Sequence, residues 1–368
     1  MKKKTPKFHP RNERIKQTYF LFLKEADQKA DSTIDGIRKA ILRFEEYTGF
    51  KDLKTFNKEQ AIAFKKHFAN MKAVRTDNPI SKSTMLSTIN ALQAFFKWLA
   101  YQKGYKSKIH IPDIEYLNMS EKEIRMAKSS AFKEFPTLEQ IRTVISRMPH
   151  TNDIERRDRA LLAFTILTGM RDSAIASLSL KHIDLSCDPA LVQQDPNEVK
   201  TKFSKRIETY FFPVGDELRD IALDWIKYLK EEKLYGQNAP VFPQTKVGHD
   251  ENQSFEVQGI EPVHWSNATP IRKIFKEAFA MAGLKYYSPH LFRNTLADYG
   301  QKVCKTPEQL KAWSQNLGHE NVLTTFTSYG NVDPHRQGEI IKGLGIQDQE
   351  KDILNQILKE VRANKSEN

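Results

Sequence analysis

From Ile15 to Leu99, apolar residues recur at spacings of three and four, and the recurrence falls into successive helical segments. Residues 14–27 carry Ile15, Tyr19, Phe22 and Leu23 on one stripe. Ser32 to Tyr47 repeats the pattern with Ile34, Ile37, Ile41 and Phe44, and Gly49 stands just past its end. A third helix opens at Asn57, a capping residue with Gln60 three positions on, and buries Ala61, Phe64, Phe68 and Met71. The fourth, Ser83 to Gln102, has the clearest period, with Met85, Ile89, Leu92, Phe96 and Leu99 on one face and Gly104 suited to the left-handed position that ends a helix. This pattern predicts a small all-helical domain over 13–105, preceded by a basic flexible arm over 1–12.

Beyond Gly104 the period degrades into Lys-rich, Pro-containing sequence, which predicts a linker over 106–134. Order restarts with a capping box at Thr137 and Gln140 on a helix holding Leu138, Ile141, Ile145 and Met148. Asp158 to Thr168 is apolar on most faces, stops at Gly169, and mounts Arg171 on its rim. Strands are expected at His182–Leu185, then at Glu198–Phe203 and Ile207–Phe212 as a hairpin turning at Ser204-Lys205-Arg206. A helix follows over Asp216–Tyr235, then a polar surface insertion over Pro243–Pro262 and a helix near Pro270 carrying Ile271, Ile274, Ala278 and Met281. Ser288 and Pro289 suit the cap and first turn of a helix bearing His290 and Arg293. Another helix starts at Thr306-Pro307-Glu308-Gln309 and closes at Gly318, offering His319 from a turn. The Thr-rich run after Leu323 leads to Tyr329. A last helix, Asp352 to Ala363, shows the stripe Ile353, Ile357, Val361, which suits docking on a neighbour or capping its own domain equally. The fold class expected is mostly α with a small β-sheet, in two domains.

Charge narrows the partner. Lys and Arg number 58 against 46 Asp and Glu, a formal +12, which favours a polyanion such as nucleic acid. The connection Lys72, Arg75, Asn78, Lys82, Ser83, Thr84 suits phosphate binding at a helix N-terminus, and an ordinary solvated cap equally well. Only Cys187 and Cys304 are present, so a disulfide framework or a CxxC zinc site is not expected, and ten scattered His without HExxH spacing give a metal little support. The basic N-terminus leads into no apolar h-region and no apolar run suits a membrane span, so a cytoplasmic protein is expected.

His290 and Arg293, one turn apart near the positive end of a helix, present two donors to an anion. Each reactive residue alone is a weak sign; their order is not. Thr168-Gly169-Met170-Arg171, a Lys-bearing hairpin, His290-Leu291-Phe292-Arg293, Leu317-Gly318-His319 and Thr324-Thr325 to Tyr329 together resemble the tyrosine recombinases, the phage integrase family. The resemblance implies a helical (SAM-like) core-binding domain before a mixed α+β catalytic domain over 135–346, with 347–368 a C-terminal helix and tail. It implies cleavage of one DNA strand by a tyrosine, leaving a 3′-phosphotyrosine and a free 5′-hydroxyl, without metal, nucleotide or other cofactor. Carried over residue by residue, it makes Tyr329 the nucleophile, Arg171 and Arg293 the phosphate clamp, His290 and His319 donors or proton carriers, and a hairpin lysine the leaving-group acid. Lys202 is preferred for that role, leaving Lys200 and Lys205, with Arg75, Lys82, Ser83 and Thr84, as DNA contacts.

The sequence departs from the family pattern at Ala174, where many members are acidic and where Asp172 is the nearest substitute, in a slightly long His319–Tyr329 spacing, and in a long hairpin. The function expected is a site-specific recombinase or integrase of a bacterium, phage or mobile element, working as a homotetramer on two double-stranded DNA sites. A type IB topoisomerase shares the chemistry, and a DNA-binding protein that has lost activity would share the fold.

Overall fold

A computed structural model describes residues 8–72, 78–129, 134–201, 205–249 and 255–319. The chain forms two compact units, Met1–Ser129 and Ser130–Asn368. The first is built from α1 (Pro10–Glu25), α2 (Asp31–Thr48), α3 (Lys58–Ala69), α4 (Lys82–Ala100), α5 (Ile111–Glu115) and α6 (Glu121–Lys128). Its centre is aromatic: Phe44, Phe64, Phe68, Phe95 and Phe96 are all but inaccessible to solvent, and Phe56 stacks on Phe96 with ring centroids 3.9 Å apart. Burial of each ring contributes at most about 3 kcal/mol, which is why the stripes predicted from spacing become the core.

Two expectations for this unit are corrected. Residues 8–12 are not part of a loose arm, since Pro10 opens α1 and Asn12 is fully buried. The Asn12 amide donates to Glu45 Oε1 at 3.1 Å and to the Lys51 carbonyl, while Lys16 meets Glu45 Oε2 at 2.6 Å. Glu45 is wholly buried, and a buried carboxylate requires such donors, so it draws the N-terminal residues inward. The stretch expected as a linker over 106–134 instead contributes α5 and α6, and Ile109, Ile114, Leu117 and Met119 join the first core. Its irregular apolar spacing reflects short helices joined by turns, which leave no sustained period.

The second unit contains α7 (Leu138–Arg147), α8 (Asp153–Thr168), α9 (Asp172–Ile175), α10 (Asp216–Lys227), α11 (Thr269–Met281), α12 (Leu291–Val303) and α13 (Pro307–Asn316). The capping boxes at Thr137/Gln140 and Thr306/Gln309 form as expected. Buried α8 packs on α10, where Leu218, Trp225 and Ile226 face inward. An antiparallel sheet is ordered β1 (Ile183–Asp184), β2 (Leu191–Gln194), β3 (Ile207–Tyr210), with Leu191 opposite Tyr210 and Gln194 opposite Ile207. The strand before β3 is therefore not the expected Glu198–Phe203. Glu198 and Val199 close a turn on the Asp195 carbonyl, and the Lys200 N–H is bound by Ser177 Oγ, so these donors are unavailable to a ladder. Residues 202–204 lie outside the described residues.

The polar insertion proves to be a second hairpin, β4 (Gln244–His249) with β5 (Phe255–Glu261). Buried Arg157 fixes its base by donating to the Pro243 carbonyl and Thr245 Oγ1, each at 3.0 Å. The expected final helix, the Thr-rich run and Tyr329 lie outside the described residues. Among the described residues no helix is long and apolar enough to cross a membrane.

Candidate active site

Gly169 ends α8 in the left-handed conformation, φ 58°, and turns the chain into Arg171, the N-cap residue of α9. A Cβ at Gly169 would lie 2.9 Å from Leu296 Cδ1 and 2.9 Å from Leu317 Cδ2, so α12 and the end of α13 close directly over it. Gly169→Ala should therefore lower stability by about 2–4 kcal/mol, from the left-handed penalty plus overpacking. Thermal unfolding checks this: a fall of roughly 5–12 °C is expected. Gly36→Ala is the control, an exposed α2 position with nothing within 4 Å, where a small gain is expected.

His290 is the N-cap residue of α12, one position earlier than a first-turn placement, and is exposed; Arg293 lies in the first turn with 3% exposure. The Arg293 guanidinium donates to the carbonyls of Gly169 and of Leu317, the latter at 2.6 Å, and Nη2 lies 3.0 Å from His319 Nε2. One side chain thus joins the ends of α8 and α13. At the end of α13 the Gly318 N–H bonds the Gln315 carbonyl and the His319 N–H bonds the Ser314 carbonyl, with Gly318 at φ 70°. This is a Schellman ending, which sets the His319 backbone, while Arg293 meets its ring. A Cβ at Gly318 would meet Ile207 of β3 at 3.0 Å.

Burial first, then the charges of Arg293, Arg171 and His290, push the His319 pKa down to about 4. Arg293, Arg171 and His290 thus lie within electrostatic reach of His319. Because Arg293 can only donate, His319 Nε2 accepts and the ring proton is assigned to Nδ1. Relative to an ordinary value of 6.5, the unfolded chain binds more protons than the folded one between pH 6.5 and 4. Stability is full above that window and declines as pH falls through it, by about 2 kcal/mol after allowance for solvent screening. Denaturant unfolding at pH 7 and 4.5 should show this loss reduced by that amount in His319→Gln.

A cleft of ≈ 430 Å³ opens beside His319, lined also by Lys205, Arg206, Ile207, Glu208, Gln315 and Gly318. Lys205 is thus near the cluster. Lys200 lies instead against the Arg171 turn, with its backbone N–H 2.9 Å from Ser177 Oγ and its ammonium 3.4 Å from the Ser266 carbonyl. Lys202, Tyr329 and Arg75 lie outside the described residues. In the first unit Ser81, not Ser83, caps α4, and its hydroxyl lies 2.9 Å from that of Thr84. Lys82 bonds Glu123 at 2.7 Å, a partly exposed pair worth at most about 1 kcal/mol and open to competition by phosphate. Ser83 is exposed in the first turn.

Asp172 does not act simply as the substitute for an acid at 174. Its carboxylate binds Arg272 at 2.6 Å and the Ser173 N–H at 2.8 Å. This pair brings Arg272 to the residue following Arg171, a cation that sequence reasoning missed because Arg272 sits one turn into α11 with no motif around it. Among the described residues no His, Cys, Asp and Glu group has metal-ligand geometry.

The family model described as "Phage integrase family" matches residues 134–336. The tyrosine recombinase XerC of Halalkalibacterium halodurans is 20% identical over 332 residues, covering 90% of this chain and 97% of its own. Among solved structures, the XerH site-specific recombinase in a post-cleavage complex with a palindromic difH substrate shares the fold at TM-score 0.56 and 18% identity, covering 89% of this chain and 83% of that one. A lambda integrase tetramer bound to a Holliday junction does so at TM-score 0.55 and 13% identity, covering 89% and 84%. With two arginines and two histidines converging on the end of a buried helix in a mostly helical fold, this chain belongs to the phage integrase family of tyrosine-type site-specific recombinases.

Proposed function

We propose that the protein cuts and rejoins DNA strands through a covalent 3′-phosphotyrosine on Tyr329. The observation that carries this reading is the grouping of Arg171, His290 and Arg293 around His319, which lines a cleft. A tyrosine with pKa near 10 is only about 0.1% phenolate at pH 7, so attack on phosphorus needs a proton acceptor and a cationic surround. Arg171 and Arg293 hold the non-bridging oxygens and stabilise the negative charge that develops on them. His290 donates to the phosphate. Burial and then positive charge depress His319; a bound phosphate offsets the second of these, and the ring carries the proton released by Tyr329.

As the Tyr329 Oη–P bond forms and the P–O5′ bond breaks, a lysine, Lys202 in this reading, gives its proton to the departing 5′-oxygen. Attack by the 5′-hydroxyl of a partner strand reverses each transfer, so no external reductant, nucleotide or metal enters the balance. Lys200, Lys205, Lys82, Ser83, Thr84, Arg75 and Arg272 serve as phosphate contacts. The working assembly is a homotetramer on two duplex sites in the cytoplasm of a bacterium, in line with the tetrameric lambda integrase complex.

The test uses full-length protein and duplexes carrying the junctions of the parent element, found by sequencing the DNA that flanks the gene. After a detergent quench, a protease-sensitive protein–DNA adduct is expected. No adduct on the cognate junction would overturn the proposal in favour of a binding protein without strand-transfer activity.

A further inference from the structure

The segment expected to carry the leaving-group lysine is laced to the turn that carries Arg171. Ser177, just past α9, shares its hydroxyl proton between the carbonyls of Ala174 at 3.1 Å and Ser173 at 3.2 Å, and its oxygen accepts the Lys200 N–H at 2.9 Å. Ser173 Oγ lies 3.5 Å from the Lys200 carbonyl. Val199 is buried beside these bonds, with 1% exposure. On the other side Glu198 is held by Lys181 at 2.9 Å and by His182 Nε2 at 2.7 Å. His182 Nδ1 accepts the Ser179 N–H at 3.0 Å, which places the ring proton on Nε2 and directs it at Glu198. Segment 198–201 is therefore fixed to residues 173–182, the continuation of the Arg171 turn, and not to β3.

We propose that Ser177 is a positioning residue that couples the lysine-bearing segment to Arg171, so that the acid and the clamp meet the same phosphate. The inference rests on the proposed reading that Lys202, two positions beyond Lys200 in the sequence, protonates the 5′-oxygen. Among the described residues the hydroxyl of Ser177 is the side-chain group that accepts the Lys200 N–H, and its removal takes that partner away while Arg171 keeps its own cap position on α9. The loss is one hydrogen bond, small enough for the protein to fold. Its effect falls on geometry, where a displacement of about 1 Å lowers a rate up to roughly 100-fold.

The experiment compares single-turnover cleavage of an ordinary site with a site whose leaving oxygen is replaced by sulfur, a 5′-bridging phosphorothiolate. A thiolate, with a pKa near 8.5 as the thiol, departs without a proton, so a defect in the acid disappears on this substrate and any other defect persists. Ser177→Ala is expected to cleave the ordinary site roughly 10- to 100-fold more slowly and the sulfur site at the wild-type rate. Ser177→Thr, which keeps the hydroxyl, should restore the ordinary rate. Equal losses on both substrates, or no loss on either, would overturn the inference. Lys200→Ala and Lys202→Ala separate it from its foundation. If neither is rescued by sulfur, the lysine reading fails; if one is rescued and Ser177→Ala is not, the lysine reading stands and the role of Ser177 falls.

Discussion

Tyr329→Phe should bind the cognate DNA as well as the unaltered chain does and form no covalent adduct with it. The change removes one oxygen and keeps the ring, so phosphate contacts from lysine and arginine are untouched. Loss of a nucleophile that acts within a preorganised set costs of order 10⁶-fold in rate, because the remaining groups have nothing to activate. A gel-shift titration measures binding, and a detergent-quenched reaction on a nicked duplex, which traps the intermediate by loss of the short 5′-hydroxyl fragment, measures the adduct. An adduct of undiminished yield in the mutant would remove Tyr329 from the mechanism. Loss of both binding and adduct would point to a structural role instead.

Arg293→Ala should fail twice. Its guanidinium donates to the buried carbonyls of Gly169 and Leu317 and to His319, so truncation leaves acceptors unpaired in the core. At about 1–3 kcal/mol for each unsatisfied group, the expected loss is about 2–5 kcal/mol, a large share of the stability of a typical domain. Thermal unfolding should fall by roughly 5–15 °C. Arg293→Lys keeps the charge but not the planar fork that reaches several acceptors at once. It should recover part of the stability while strand cleavage remains at least about 100-fold slow, because in the proposed mechanism that fork holds the phosphate. An Arg293→Ala protein with the wild-type melting temperature would show that the buried bonds contribute nothing.

Much of this architecture is legible in spacing and caps. Apolar residues at intervals of three and four mark α1 to α4, and the boxes at Thr137/Gln140 and Thr306/Gln309 mark where α7 and α13 begin. Gly169 and Gly318 are readable because only a left-handed residue ends a helix in that way. The rest depends on partners distant in sequence. Val192 and Thr209 are cross-strand neighbours in the β2–β3 ladder, yet the alternation Glu198-Val199-Lys200-Thr201 looks more strand-like than Leu191–Gln194. What decides between them is that Ser177 binds the Lys200 N–H, a contact with no local signature. The same holds for Glu45, whose burial draws Asn12 into the first core, and for the Asp172–Arg272 pair, which no motif announces. Arg171, His290, Arg293 and His319 were identified from order along the chain, and the structure shows Arg293 holding the ends of α8 and α13 together.

That shared side chain has a consequence for how a recombinase of this family matures. The Arg293 guanidinium joins the carbonyls of Gly169 and Leu317, so this arrangement exists only after the chain has been synthesised through α13 and has folded over that whole span. A nascent or partly unfolded chain lacks that arrangement. On the mechanism proposed above, competence to cut DNA arrives only when folding is complete.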